Sequence, residues 1–417
     1  MRVLKVLREK SITNLLVYGI GQGFNLVTPL LVAPYLIYTC GEDGFGKIST
    51  SLAICFLLIV IIDYGSDIIG VKEVAINREN KENLEKIVST VYITKVVLLL
   101  VVLFLTITIY LLVPYFREEK ELYLLALPIL IGQFINPTWV FQGLEYFKQI
   151  TFLNIVSKLI YVAGVFYVIK KPADYIYANL WWGLGMIIAN TCAFLWLGKY
   201  FYISPYKTSF NDVKNHLKDH FRFFASQAVL SQQMYAPVIL IKIFMGDAAA
   251  GIYAVVERII FVFRTYILLF FSYVFPKVCY LLETQTKQGL RFWKQFNISN
   301  FVFITLLMAV LFVFSDYVVA YFKPQSLTEI SALLKWGALV PVAFAISIPL
   351  KQLVLGWNFN KQYTNVTMLM AMFTLAAIVI TLPFLKLQGV LMVFVFTELI
   401  TAILFLKIIK KKLLQSD

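Results

Sequence analysis

The run IVSTVYITKVVLLLVVLFLTITIYLLV, residues 87–113, carries a single charge, Lys95. A helix crosses the roughly 30 Å hydrocarbon core of a bilayer with about 20 mainly apolar residues, so this run is long enough to span. Similar runs lie near 12–38, 46–68, 121–143, 150–169, 176–198, 221–244, 250–275, 297–319, 328–355, 364–385 and 388–409. Continuous apolar runs point to helices, because barrel strands alternate polar and apolar residues. The expectation is an all-α integral membrane protein of about twelve transmembrane helices. The first run is too long for the apolar part of a cleavable signal and lacks a small-residue cleavage site, so it is expected to persist as a span.

Composition narrows the function. The chain is 60% hydrophobic and 14% charged, with a mean hydropathy of +0.80, which excludes an ordinary soluble domain. A net charge of +14 would suggest nucleic acid in a soluble protein. Here the basic residues are spread over separate connections, so no nucleic acid is expected. With the N-terminus inside, the inner segments hold about 23 Lys and Arg and the outer ones about 7, a positive-inside bias that places both termini in the cytoplasm. No connection is long enough to house a catalytic domain, and no phosphate-binding G-x-x-x-x-G-K-[ST] is present. The protein is therefore read as a non-enzyme without cofactors, driven by an ion gradient, the membrane potential or the cargo gradient.

An internal echo organises the chain. Gly41-Glu42-Asp43-Gly44-Phe45-Gly46 follows the first span, and Gly246-Asp247-Ala248-Ala249-Ala250-Gly251 follows the seventh. Both read Gly-acid-x-x-x-Gly, offset by 205 residues. Six spans is an even number, so the two halves enter the membrane in the same direction, as in parallel-repeat transporters. Two six-helix lobes are expected, 1–205 and 206–417. Pro29 and Pro34 in the first span, and Pro237 in the seventh, remove backbone donors and mark places for a bend or a gate.

Embedded charges are expensive and mark function. Span eight carries Glu257, Arg258 and Arg264. Glu257 and Arg264 share one helix face about 10 Å apart, and Arg258 points to a neighbouring face. Lys158 is also deep. Lys95, Lys242 and Lys351 lie near span ends, where snorkelling is the blander reading; Lys95 stays among the cavity candidates with Arg264, Arg258 and Lys158. A cation-lined cavity suits a phosphate-bearing cargo, since arginine binds phosphate bidentately. Among the acids, Glu398, Glu257, Asp63 and Asp67 are candidates for coupling to H⁺ or Na⁺ or for charge balance. Asp63 and Asp67 are read as interfacial partners of Lys72 or Arg78. His216 and His220 have an i, i+4 spacing that could hold a metal, but no Cys or acidic ligand motif accompanies them, so no metal is expected.

Four patches together resemble Wzx-type O-antigen flippases of the polysaccharide-transporter branch of the multidrug/oligosaccharidyl-lipid/polysaccharide exporter superfamily. Asn136-Pro137-Thr138-Trp139-Val140-Phe141-Gln142-Gly143-Leu144-Glu145 resembles their W-x-F-Q-G-x-E segment. Asp63-Tyr64-Gly65 ahead of Lys72-Glu73, Gly251-Ile252-Tyr253-Ala254 ahead of Glu257-Arg258, and Pro29 with Pro34 are the weaker three. The resemblance implies an inner-membrane flippase that moves an undecaprenyl-pyrophosphate-linked oligosaccharide to the periplasmic leaflet for O-antigen and lipopolysaccharide biosynthesis. A polysaccharide polymerase and chain-length proteins are the partners it implies, besides membrane lipid. Trp139, Gln142, Gly143 and Glu145 match the family segment, with a gating or packing role expected. The alternatives are a multidrug or metabolite antiporter, which should show an acidic cavity, and an integral-membrane glycan polymerase, which should show a large outer loop.

Overall fold

The computed structural model describes the backbone of residues 2–200 and 208–414 and the side chains of 19–199 and 208–414. Every regular element among the described residues is helical. Helix is the solution a lipid environment imposes, because each backbone N–H and C=O is satisfied within its own segment. Side-chain hydroxyls follow the same rule by bonding back one turn: Thr94 Oγ1 donates to the Thr90 carbonyl at 2.8 Å, and Thr305 Oγ1 to that of Phe301 at 2.7 Å.

The elements run α1 (Arg2–Asp63), a π-helical turn (Ser66–Gly70), α2 (Val71–Asn77), α3 (Lys81–Leu112), α4 (Pro114–Arg117), α5 (Lys120–Ala126), α6 (Pro128–Ile135), α7 (Thr138–Gly143) and α8 (Phe147–Val168). After a 3-10 turn (Pro172–Tyr177) come α9 (Ala178–Tyr200), α10 (Phe210–Met245), α11 (Asp247–Thr284), α12 (Thr286–Val313) and α13 (Ser315–Ala320). The chain then forms α14 (Leu327–Gly337), α15 (Leu339–Gly356) and α16 (Asn360–Leu414).

Ten helical segments among the described residues are long and apolar enough to cross a membrane, two fewer than the apolar runs. The reason is continuity. The segments Gly19–Asp63 and Asn360–Leu414 contain 45 and 55 residues, or about 68 and 82 Å at 1.5 Å per residue, each at least twice a bilayer core. Each is broken by non-helical backbone, at Gly41 (φ 72°) and at Lys386 (φ 50°). Counting each as two crossings restores twelve.

Some boundaries differ from expectation. Helix α1 stops at Asp63 rather than near 68, because Tyr64 (φ 46°) and Gly65 (φ 84°) take left-handed backbone before the π-helical turn. The expected fourth span is assembled from α5, α6 and α7, with Pro128 and Pro137 at its breaks. Helical structure continues through Pro29 and Pro34, and the break falls at Gly41 instead.

Two compact units are formed. The first comprises residues 1–40 and 47–231, and the second 41–46 and 232–417. The expected lobe boundary at 205/206 lies outside the described residues; the division between the units falls inside α10.

In the first unit, α2 and α7 dock at close range. A Cβ on Gly70 would sit 2.8 Å from the Trp139 ring, and one on Gly143 would sit 2.6 Å from Val74. Trp139, Val140 and Phe141 join Val74, Leu84 and Val88 in one buried cluster. In the second unit, Val274, Val278, Leu353 and Phe405 form a core in which α11, α15 and α16 meet. Two polar groups beside it are paired: Trp293 Nε1 donates to the Pro349 carbonyl at 2.9 Å, and Asn297 Nδ2 to Gln352 Oε1 at 3.1 Å.

The repeated turns pack reciprocally within the second unit. A Cβ on Gly46 would lie 1.8 Å from the Asp247 carbonyl oxygen, and one on Gly251 would lie 2.0 Å from the Glu42 carbonyl oxygen. Each closing glycine thus receives the carbonyl of the other turn's acid. Contact of i with j and of j with i is the signature of a local two-fold relation. Glu42 also caps α14, accepting from Ser326 N at 2.6 Å and Ser326 Oγ at 2.8 Å.

Candidate functional site

The second unit holds a cavity of about 50 Å³ against α11. Glu257 and Arg264 line it, as the helical spacing predicts, with Gln233, Tyr253, Phe344 and Phe394 among its other walls. The Arg264 guanidinium lies 5.0 Å from the centre of the Phe344 ring, a cation–π distance. Neither Arg264 nor Glu257 forms an ion pair within 4.0 Å among the described residues. Arg258 does not line this cavity; it lies 4.6 Å from the centre of the Phe45 ring. The pair of arginines therefore diverges, each resting on an aromatic face.

Glu398 is 5% exposed on α16 and accepts a hydrogen bond from Ser347 Oγ on α15. The described residues offer it no cation within ion-pair distance. Buried Thr397 and Thr401 flank it on the same helix. Their hydroxyls bond back to the Phe394 and Thr397 carbonyls at 3.1 and 2.7 Å, so Ser347 is the hydroxyl that reaches Glu398.

The first unit holds a second, polar cavity of about 110 Å³. Asp63, Asp67, Lys95, Gln133, Trp139 and Gln142 are among its walls. This corrects two expectations. Lys95 does not snorkel: it is 2% exposed, and its Nζ lies 2.8 Å from Asp63 Oδ1. Asp63 pairs with Lys95 rather than with Lys72 or Arg78, and its second oxygen accepts from Gln133 Nε2 at 2.8 Å. The pair neutralises itself, so Lys95 presents little net charge to a cargo. Lys242 is likewise paired, 2.7 Å from Asp247 Oδ1.

Arg78 finds its carboxylate in Glu145, at 3.3 Å. With Gly70 against Trp139 and Gly143 against Val74, this joins the stretch after Asp63-Tyr64-Gly65 to the W-x-F-Q-G-x-E segment. Two patches read separately in the sequence are thus two sides of one packed elbow. Of the segment's polar residues, Asn136, Thr138 and Gln142 line the polar cavity, whereas Glu145 turns to Arg78. Lys158, also in this unit, sits 3.5 Å from the centre of the Trp182 ring and forms no ion pair among the described residues.

One grouping escaped the sequence reading. His216 and His220 on α10 are joined by Glu73 of α2. Helical spacing paired the histidines, but nothing local announces a carboxylate more than a hundred residues away.

Residues 11–279 match the family described as polysaccharide biosynthesis protein. Two curated relatives carry the description "Putative O-antigen transporter". One, from Escherichia coli (strain K12), is 26% identical over 238 residues, covering 57% of this chain and 57% of its own length. The other, from Shigella dysenteriae, is 27% identical over 236 residues, covering 56% of this chain and 59% of its own. The matched region thus spans a little over half the length of each relative. Among solved structures, the lipid II flippase MurJ in an inward closed conformation superposes with a TM-score of 0.76 at 14% identity, covering 95% of this chain and 87% of that one. An inward-facing multidrug resistance MATE family transporter of the MOP superfamily gives 0.71 at 15% identity, with 93% and 92% covered. At such identities the likeness establishes the fold. The multi-pass helical architecture and a family match over well over half of the sequence converge: the chain belongs to the polysaccharide biosynthesis protein family and has the fold of the MOP-superfamily transporters.

Proposed function

We propose that this protein is a flippase that carries an undecaprenyl-pyrophosphate-linked oligosaccharide, an O-antigen or related surface-polysaccharide repeat unit, from the cytoplasmic to the periplasmic leaflet. It works by alternating access in the inner membrane with both termini cytoplasmic, and it performs no covalent chemistry. The observation that carries the reading is Arg264, a guanidinium inside a membrane helix that lines a cavity and has no carboxylate at ion-pair distance among the described residues. Such a cation is costly unless it serves a partner that arrives and leaves, and a phosphate fits its planar fork of donors. The O-antigen-transporter descriptions of the relatives supply the cargo class.

Arg264 is assigned the pyrophosphate contact, with Lys158 and Arg258 as further cations resting on aromatic faces. Lys95 is not assigned this role, since Asp63 already neutralises it. At about 50 Å³ the Arg264 cavity has room for water but not for a sugar, so cargo entry requires it to widen. Glu398 is assigned the coupling role, exchanging H⁺ or Na⁺ against cargo movement. Its isolation from cations and its hydroxyl partner Ser347 support that assignment.

The test is surface-glycan display in a null strain complemented with wild type, Arg264→Ala or Arg264→Lys, with membrane protein levels checked. The expected result is loss of display and accumulation of the lipid-linked repeat with the alanine variant at normal protein level, and partial display with lysine. Full display with Arg264→Ala would remove Arg264 from cargo handling. Normal display in the null strain, with no redundant transporter, would overturn the flippase reading itself.

A further inference from the structure

The grouping of Glu73, His216 and His220 joins two elements that are far apart in sequence. One ligand atom from each lies within 4.8 Å of the others, and all three side chains are half-buried. His220 stands in the middle: its Nδ1 lies 3.4 Å from His216 Nε2, and its Nε2 lies 3.4 Å from Glu73 Oε1. The two 3.4 Å contacts use opposite nitrogens of the His220 ring, and a metal takes only one of them. Ligands held tetrahedrally at 2.0–2.1 Å from a zinc ion are about 3.4 Å apart, so the three ligand atoms, now within 4.8 Å of one another, must draw together through side-chain rotation to form a coordination sphere.

Two imidazoles and one carboxylate leave a fourth position for water. Imidazole nitrogens select zinc-like divalent metals over Mg²⁺ and Ca²⁺, which prefer oxygen donors. The frame around the site is fixed. Tyr64 Oη donates to the Leu217 carbonyl at 2.9 Å, Tyr64 stacks on Phe224 at 4.5 Å, and Lys86 pairs with Asp212 at 3.3 Å. The Tyr64 contacts hold the first half of α10 against the stretch that leads into α2, and the Lys86 pair holds its start against α3. Asp219 adds a second negative field at His216.

We propose that Glu73, His216 and His220 form a binding site for a single Zn²⁺-like divalent metal ion that ties α2 to the N-terminal half of α10. The competing description is a chain of ordinary hydrogen bonds, carboxylate to imidazole to imidazole, in which a proton takes the place of the metal. The two differ in measurable ways, because a metal site binds with defined stoichiometry and a ligand field, and it stabilises the fold that contains it. The site does not depend on which cargo the protein carries.

The experiment uses the full-length protein in detergent, free of any polyhistidine tag, titrated with Zn²⁺ against a chromophoric chelator and separately with Co²⁺. The expected result is one equivalent bound, unaffected by millimolar Mg²⁺. A tetrahedral Co²⁺ spectrum without a thiolate charge-transfer band is expected as well. Glu73→Gln, His216→Gln and His220→Gln should each weaken binding at least tenfold, with unchanged elution profile and metal-free melting temperature. Equal Zn²⁺ affinity in wild type and the triple variant would overturn the proposal, as would a thiolate band in the wild-type Co²⁺ spectrum. The wild-type spectrum decides the matter even if a variant fails to fold.

Discussion

At the scale of single residues, the pair Lys95–Asp63 separates charges that hold the protein together from charges that serve cargo. Lys95 is almost completely buried, with a carboxylate 2.8 Å from its ammonium and the Trp139 ring 5.9 Å away. Removing one member of such a pair leaves an uncompensated buried charge and costs about 3–5 kcal/mol, whereas replacing both by apolar groups is often close to neutral. Lys95→Met should therefore lower the melting temperature of the detergent-solubilised protein sharply, and Lys95→Met with Asp63→Leu should recover most of the loss. If the single variant melts like wild type, the pair is not stabilising in this sense. The sequence placed Lys95 and Asp63 in different spans, each near a boundary, and periodicity assigns a residue to a face without naming what meets that face. Glu257 and Arg264 were legible because they share a helix; Lys95 and Asp63 were not, because they do not.

At the scale of elements, the two Gly-acid-x-x-x-Gly turns show how much a local motif can say. The echo at an offset of 205 was readable, and so was its place at the start of paired helices. The reciprocal packing of Gly46 on the Asp247 carbonyl and of Gly251 on the Glu42 carbonyl was not, since contact between remote segments leaves no local trace. The same holds for the elbow, where Gly70, Gly143 and the Arg78–Glu145 pair join two patches of the sequence. The energetic consequence is strict. A methyl group at Gly46 or Gly251 meets backbone oxygen at 1.8 or 2.0 Å, and backbone cannot step aside as a long side chain can. Overpacking usually costs about 1–3 kcal/mol, and a backbone clash belongs at or above that range. Gly46→Ala and Gly251→Ala should thus each give aggregated protein on extraction or a markedly lower melting temperature. Gly19 and Gly23 provide the control, because a Cβ there meets nothing within 4 Å. Alanine at those positions should be tolerated, with a gain of up to about 1 kcal/mol in helix propensity. Equal tolerance at all four glycines would remove the turn-to-turn contact from the account of this fold.

At the scale of the whole molecule, the count of crossings fixes where every connection lies. Segments of 45 and 55 residues cannot cross once without leaving apolar surface in water, and each carries one non-helical residue at which the chain can reverse. Two crossings apiece would give twelve in all, an even number, which predicts that residue 19 and residue 414 lie toward the same side. Charge then chooses the side: Lys410, Lys411 and Lys412 follow the last apolar run, and the connection at 285 is bordered by Lys277, Lys287 and Arg291. Lysines and arginines near span ends are retained on the cytoplasmic side. Reporter fusions should therefore give cytoplasmic signals after residue 414 and at Gln285, and periplasmic signals in the 3-10 turn Pro172–Tyr177 and at Lys323. A periplasmic C-terminus with a cytoplasmic signal at Gln285 would mean that α16 crosses once. In that case the break at Lys386 would be a kink within one span rather than a reversal between two. Reversal is favoured by length: a 55-residue segment crossing once would run to about 82 Å, more than tilt in a bilayer of about 30 Å can absorb.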